Sequence, residues 1–179
     1  MNNLNGQRNT FIGYQAGYNN STGDANTFLG YQAGYNNLTG TYNLFFGTNA
    51  GKNNKSGSYN VAIGYNAGLT LNSTLYSSFI GVNADIVTTD VSASVAIGYN
   101  SKVDKDNSIV FGSTTDPIQL GINTTTPRAD VDINSTGAII IPVGETTDRP
   151  TIPVKGMIRF NSTTNKLEGY NGASWINFE

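Results

Sequence analysis

The chain has 179 residues, no cysteine, no histidine, 12% charged residues and a formal net charge of −2. Those absences exclude disulfide frameworks, cysteine nucleophiles, Cys/His zinc sites, Ser-His-Asp triads and histidine pH switches, and weak negative charge excludes the electrostatic footprint of a nucleic-acid binder. Asn, Thr, Ser and Gly supply 81 of the 179 residues and 11% are aromatic, a composition that favours strands and turns over helices.

Residues 1–8 form a lead-in. Its start, Met1-Asn2-Asn3-Leu4-Asn5-Gly6, has neither the basic nor the apolar region of a secretory signal. The longest apolar stretch, Ala138-Ile139-Ile140-Ile141-Pro142-Val143, is broken by its proline and falls far short of the ~18 residues a membrane helix needs. No membrane insertion is expected.

From residue 9 a repeat takes over. Asn9-Thr10-Phe11-Ile12-Gly13-Tyr14-Gln15-Ala16-Gly17 recurs from Asn26, Asn43 and Asn60, and more loosely from Ser77 and Ser94, at five consecutive spacings of 17. A last copy, Ser108-Ile109-Val110-Phe111-Gly112, follows after 14. A unit of 17 is too short for a helix pair or a strand-plus-helix repeat, and it lacks helical periodicity. It predicts one coil of a β-solenoid over 9–115: a short strand, a glycine corner, a second extended piece and a polar return loop. At the ~4.8 Å strand spacing, six such coils give a rod about 30 Å long.

Repetition sorts the residues into columns. Ile12, Leu29, Phe46, Ile63, Ile80 and Ile97 are always large and apolar and are assigned to the coil interior. Gly13, Gly30, Gly47, Gly64, Gly81 and Gly98 mark a corner with positive φ or close backbone approach. Ala16, Ala33, Ala50, Ala67, Ala84 and Ser101 suit a tight inner corner. Phe11, Phe28, Phe45, Ala62, Phe79 and Ala96 alternate onto the opposite face. There Phe11, Phe28, Phe45 and Phe79 become candidates for an outer face that three sister chains bury, so the expectation is a homotrimer. Asn19, Asn20, Asn36, Asn37, Asn53 and Asn54 suit the return turns, by bonding to backbone and tolerating left-handed conformations.

Residues 9–17 and Ser94-Val95-Ala96-Ile97-Gly98-Tyr99-Asn100-Ser101 resemble the head repeats of trimeric autotransporter adhesins. That resemblance implies a left-handed parallel β-roll assembled as a trimer; similar repeats occur in phage and other viral fibre proteins. It covers 9–112, and its Ile-Gly-x-x-(Ala/Ser) core is specific to the fold and not to a ligand. The 17-residue coil departs from the shorter unit of those adhesins, which only the final 14-residue step matches.

Residues 116–153, with all five prolines, are expected to form an extended connector wrapping neighbouring chains. Within it, Leu120–Ile133 resembles a connector found after such repeats in phage tail fibres. The stretch from Pro142 to Phe178 resembles a small module common at fibre ends, with Arg149-Pro150, Gly156-Met157-Ile158-Arg159-Phe160-Asn161 and Leu167-Glu168-Gly169-Tyr170-Asn171-Gly172. From the residues themselves, 154–179 is a β-meander with strands at 157–160, 166–170 and 174–178. Asn171-Gly172 signals a two-residue hairpin turn, which would set Leu167 opposite Ile176 and Glu168 opposite Trp175.

The whole is thus an all-β, trimeric solenoid or β-roll of 17-residue coils, an extended connector and a small C-terminal meander. Trp175, Tyr170 and Glu168 are candidates for contacting a host-surface glycan or protein receptor, against the alternative that the aromatics pack on sister chains. The column Tyr14, Tyr31, Tyr65, Tyr99 suits either structural stacking or glycan binding along the shaft. Asp104/Asp106 and Asp130/Asp132 have the spacing of glycosidase carboxylates but are better explained as exposed, solvated turn residues. The resemblance implies a non-enzymatic structural fibre of a virion, extracellular, needing no cofactor, with host receptor and other virion proteins as partners. The alternatives are a bacterial trimeric adhesin head fragment and a depolymerase-type tailspike. An ice-binding solenoid would keep a regular threonine column, which Thr10, Thr27, Leu44, Val61 does not.

Overall fold

The computed structural model describes residues 5–88, 91–116 and 118–178. Residues 1–4 of the lead-in, Pro117 of the connector and Glu179 at the tip lie outside the described residues. Two compact units divide the chain: one runs to residue 120 and includes 128–130, the other takes 121–127 and everything from 131.

The first unit is the solenoid. Strands β1 (Thr10–Ile12), β2 (Thr27–Leu29), β3 (Leu44–Phe46), β4 (Val61–Ile63), β5 (Ser78–Ile80), β7 (Val95–Ile97) and β9 (Ile109–Phe111) form one parallel seven-stranded sheet in chain order. The short strands β6 (Asp85–Ile86) and β8 (Lys102–Val103) pair separately. Register is constant: Phe11 lies beside Phe28, Phe28 beside Phe45, Phe45 beside Ala62. Outside the strands the backbone still bonds coil to coil, as in Gly17 N–H to Ala33 O at 2.9 Å and Gly51 N–H to Ala67 O at 2.9 Å.

The two apolar columns are the reverse of the sequence assignment. Phe28, Phe45, Ala62, Phe79 and Ala96 are fully buried, whereas Ile12, Phe46 and Ile80 are 57%, 51% and 40% exposed and Leu29, Ile63 and Ile97 are half-buried. The coil interior is therefore the phenylalanine column, stacked with ring centroids 4.8 Å apart from Phe11 to Phe28 and 4.9 Å from Phe28 to Phe45. The isoleucine column faces outward. Strand alternation separates the columns without saying which is inside. The deciding partner lies across the coil, where a Cβ on Gly34 would stand 2.4 Å from the Phe28 ring and one on Gly51 2.4 Å from Phe45. A side-chain-free backbone opposite Phe11, Phe28 and Phe45 leaves room for the ring in so narrow a coil; Phe79, also fully buried, has Asp85 at the corresponding position.

In the fourth coil the phenylalanine is missing and another residue fills its space. Ala62 replaces it in the fourth coil, and Leu71, from the return loop, is fully buried there; a Cβ on Gly68 would meet Leu71 Cδ1 at 2.8 Å and Ala62 Cβ at 3.2 Å. Leu71 occupies the column that holds Asn20, Asn37 and Asn54 in the preceding coils. The corner glycines meet both sequence criteria: Gly30 and Gly47 have φ of +138°, and a Cβ on Gly30 would sit 2.5 Å from Gly47 O. The corner alanines 33, 50, 67 and 84 are buried.

The return-loop asparagines do not use left-handed backbone. Those conformations fall instead on Gln15, Gln32, Asn49, Asn66, Asn83 and Asn100, and on the residue two before each strand, including Tyr42, Tyr59 and Tyr76.

The connector is less extended than expected. It contains the paired strands β10 (Leu120–Ile122) and β11 (Val131–Ile133), then β12 (Val143–Gly144) and a 3₁₀ turn at Thr146–Asp148. In the second unit, β12 lies parallel to β13 (Ile158–Asn161), and β14 (Lys166–Tyr170) and β15 (Trp175–Asn177) follow antiparallel. The C-terminal sheet thus has four strands and begins before the boundary at 154. Its last hairpin also differs: Tyr170 pairs with Trp175 and Glu168 with Asn177, across a four-residue loop. Asn171 Oδ1 accepts from the N–H groups of Ala173 and Ser174 at 2.8 Å, an Asx-type turn that displaces the two-residue one. The slip is two residues, so Glu168, Tyr170 and Trp175 still share a face.

Two outcomes test the interior. Phe45→Ala should cost about 3–5 kcal/mol in chemical denaturation, the usual penalty for emptying an aromatic site. Ala62→Phe alone should destabilise by about 1–3 kcal/mol through overpacking against Leu71, and Leu71→Asn in the same chain should recover most of that loss in a double-mutant cycle.

Candidate functional site

Two surfaces hold the residues to which the sequence points, one on the shaft and one at the C-terminal sheet. On the shaft, the first residue of each coil has a role that the column analysis did not assign. Asn26, Asn43 and Asn60 are buried. Asn26 Oδ1 accepts the N–H of Asn43 at 2.9 Å while its Nδ2 donates to Gly40 O at 2.8 Å, and Asn43 and Asn60 repeat the arrangement. Each carboxamide bridges two coils. The signal was present in the unbroken Asn9, Asn26, Asn43, Asn60 column. Asn20, Asn37 and Asn54 form a second buried ladder, with Nδ2-to-Oδ1 bonds of 2.7 Å between successive coils. Where Leu71 ends that ladder, Asn54 Oδ1 is left buried without a partner.

A third ladder lies nearer the surface. Asn49, Asn66 and Asn83 each donate to the next coil, and Asn100 Nδ2 donates to Asp116 Oδ2 at 3.1 Å, so the series ends on a carboxylate. Beside it stands the exposed tyrosine column. Tyr14 and Tyr31 stack at 5.5 Å with planes 13° apart, but Thr48 and Val82 interrupt the column before Tyr65 and Tyr99. A column not anticipated, Tyr42, Tyr59 and Tyr76, stacks at 5.0 and 5.1 Å on left-handed backbone.

Asp104 and Asp106 are exposed, and Asp106 Oδ1 accepts the Ser92 N–H at 2.8 Å. Asp130 is exposed but Asp132, expected to be solvated, is buried. Among the described residues no group of three His, Cys, Asp or Glu is placed to hold a metal ion. Asp85 is buried in the shaft, 2.9 Å from the Ile86 N–H and 3.8 Å from Lys102 Nζ. Burial pushes its pKa up, opposed by the Ile86 and Thr70 bonds and the Lys102 charge.

At the C-terminal sheet, Glu168 is fully buried and so is not a receptor contact. Arg149 holds it by a two-pronged bond, Nε to Oε1 at 3.1 Å and Nη2 to Oε2; Asn161 Nδ2 adds a bond at 3.0 Å, and Arg159 Nε lies 3.7 Å away. Arg159 is itself buried and donates through Nη2 to Glu145 O at 2.9 Å. The Arg149 bonds, then Asn161 and the two guanidinium charges, hold the Glu168 pKa below its ordinary value against desolvation. Trp175 and Tyr170 are half-buried, with ring centroids 5.6 Å apart, and the Arg149 guanidinium lies 5.7 Å over the Trp175 ring. Trp175 also lines a cavity of about 380 Å³ with Pro142, Val143, Pro150, Met157 and Ile158. The two aromatics therefore form part of a cluster within the sheet.

Residues 92–115 match the family described as the YadA head domain repeat, in two copies. No curated protein and no solved structure matches the chain. Among the described residues no helix is long and apolar enough to cross a membrane.

Glu168 and Asp85 predict opposite responses to acid. A depressed folded pKa makes Glu168 a source of stability above the carboxylate range that is lost as pH falls through the folded value. The fluorescence of Trp175, the only tryptophan, should therefore report unfolding of the C-terminal sheet in acid, and Glu168→Gln should remove that pH dependence while weakening the sheet at neutral pH. A raised pKa works the other way: the Asp85 contribution is present in acid and lost as pH rises through its folded value. Asp85→Asn should accordingly raise the melting temperature of the shaft at pH 7, followed by far-ultraviolet circular dichroism.

Proposed function

We propose that the protein is a non-enzymatic, homotrimeric attachment fibre of a virion, acting outside the cell on a host-surface glycan or protein receptor. The observation that supports this best is the outer face of the seven-stranded sheet. Ile12, Leu29, Phe46, Ile63, Ile80, Ile97 and Phe111 form one outward row, with Leu44, Val61, Val95 and Ile109 beside it. Parallel sheets are normally covered on both faces, and so long an apolar strip marks an interaction surface. Three copies packed strip to strip around a common axis cover it without leaving an edge row in water. The likeness of residues 92–115 to YadA head repeats supports the same assembly. The trimer seam is thus assigned to the isoleucine row, in place of Phe11, Phe28, Phe45 and Phe79.

A bacterial adhesin head is the second reading, favoured by that same likeness. The virion reading draws on the compact C-terminal sheet after the shaft, the module resembling those at fibre ends.

Light scattering on the purified chain should give three times the 19.0 kDa protomer mass; a stable monomer would overturn the proposal. Ile63→Asp should yield folded monomers, since it places a carboxylate in the seam and leaves the coil interior intact. Trp175→Ala should keep the trimer and weaken attachment to host cells, whereas dissociation would assign Trp175 to inter-chain packing. Antibody to the C-terminal sheet should label virion tails; labelling of bacterial surfaces alone would favour the adhesin.

A further inference from the structure

The interrupted tyrosine column has a geometry of its own. Coils rise by about 4.8 Å, and at that spacing Tyr14 and Tyr31 stack ring on ring, with centroids 5.5 Å apart. Tyr31, Tyr65 and Tyr99 stand two coils apart, about 10 Å, and the intervening positions hold the short side chains of Thr48 and Val82. Those three rings are 48%, 50% and 56% exposed, and Val82 is 41% exposed. Nothing in the column is long enough to occupy the outer part of the missing rungs. Two gaps result, each one coil wide and flanked by exposed tyrosines: one over Thr48 between Tyr31 and Tyr65, one over Val82 between Tyr65 and Tyr99.

The geometry points to each of these slots as a carbohydrate-binding site in which one pyranose ring of a neutral glycan inserts between two tyrosines. A ring inserted midway lies about 5 Å from each wall, the spacing that the Tyr14–Tyr31 pair already displays. The C–H face of a pyranose is apolar and gains dispersion contacts and desolvation on both sides, while its hydroxyls project from the edge. Thr48 adds a hydroxyl in the first gap, while the neighbouring Asn49, Asn66, Asn83 and Asn100 carboxamides bond to one another from coil to coil. The other exposed column is different: Tyr42, Tyr59 and Tyr76 stack on one another without a gap, so their faces are already occupied. The site deepens the attachment function proposed above and rests on it for biological meaning, though not for its chemistry.

The test uses the intact chain and three probes, cellohexaose, chitohexaose and maltohexaose, followed by saturation-transfer NMR and titration calorimetry. At least one should bind. Thr48→Tyr with Val82→Tyr completes the tyrosine stack, fills both slots and should weaken binding at least tenfold without lowering the melting temperature. Tyr65→Ala, which removes the wall common to both slots, should weaken it similarly, and serves equally if the filled variant does not fold. Failure of all three sugars to bind, or undiminished binding by Tyr65→Ala, would overturn the site. Host-cell attachment that survives in the filled variant while sugar binding is lost would overturn the link to attachment and leave the fibre reading standing.

Discussion

Hydrogen bonding between residues 17 apart holds the shaft together. Every coil offers its N–H and C=O groups along the solenoid axis, and only a neighbour in the same register can satisfy them. Register, once set, puts like residues on like residues, so phenylalanines stack on phenylalanines, tyrosines on tyrosines and carboxamides on carboxamides. Asparagine is abundant because its side chain carries both a donor and an acceptor and can extend the backbone ladder into places the backbone cannot reach. Asn26, Asn43 and Asn60 do this inside the coil, each bonded to the next coil and to a loop carbonyl. A polar interior is tolerable here because the amides are paired in series.

So thin a coil has little volume for apolar side chains, and that scarcity shapes the rest. Phe28 and Phe45 fill the interior opposite a glycine, and where Ala62 takes that place Leu71 crosses from the return loop. Leu71 breaks the Asn20, Asn37, Asn54 ladder in doing so and leaves Asn54 Oδ1 without a partner. The substitution exchanges a hydrogen bond for packing. With the interior filled in this way, isoleucine and phenylalanine on the other strand face have nowhere to go but outward. The outer strip that sister chains are proposed to cover follows from the narrowness of the coil.

The C-terminal sheet is stabilised on different terms. Its central feature is a carboxylate out of water between two guanidinium groups, Glu168 with Arg149 and Arg159, and the ring of Trp175 lies against Arg149. Buried ion pairs of this kind are costly to break, because the survivor is left charged and unpaired. They also hold neighbouring segments in one arrangement, here the loop carrying Arg149 against the strands carrying Arg159 and Glu168.

The amino-acid sequence by itself determined the repeat length, the parallel stack, the glycine and alanine corners and the strand at Lys166–Tyr170, because periodicity and backbone demands are written one residue at a time. It did not determine which strand face is inside: alternation distinguishes two faces, and the choice depends on Gly34 and Gly51 lying across the coil from Phe28 and Phe45, a relation between loops that only folding creates. The paired change of Ala62 with Leu71 was the one trace of it in the sequence. The tertiary structure also decided the burial of Glu168, since its partner Arg149 is 19 residues away, and the four-residue turn at Asn171–Ser174, where a side-chain carbonyl outcompeted the expected two-residue hairpin. The Arg149–Glu168 pair joins distant residues, while the face choice and the turn are short-range competitions that alternation and turn propensity alone do not rank.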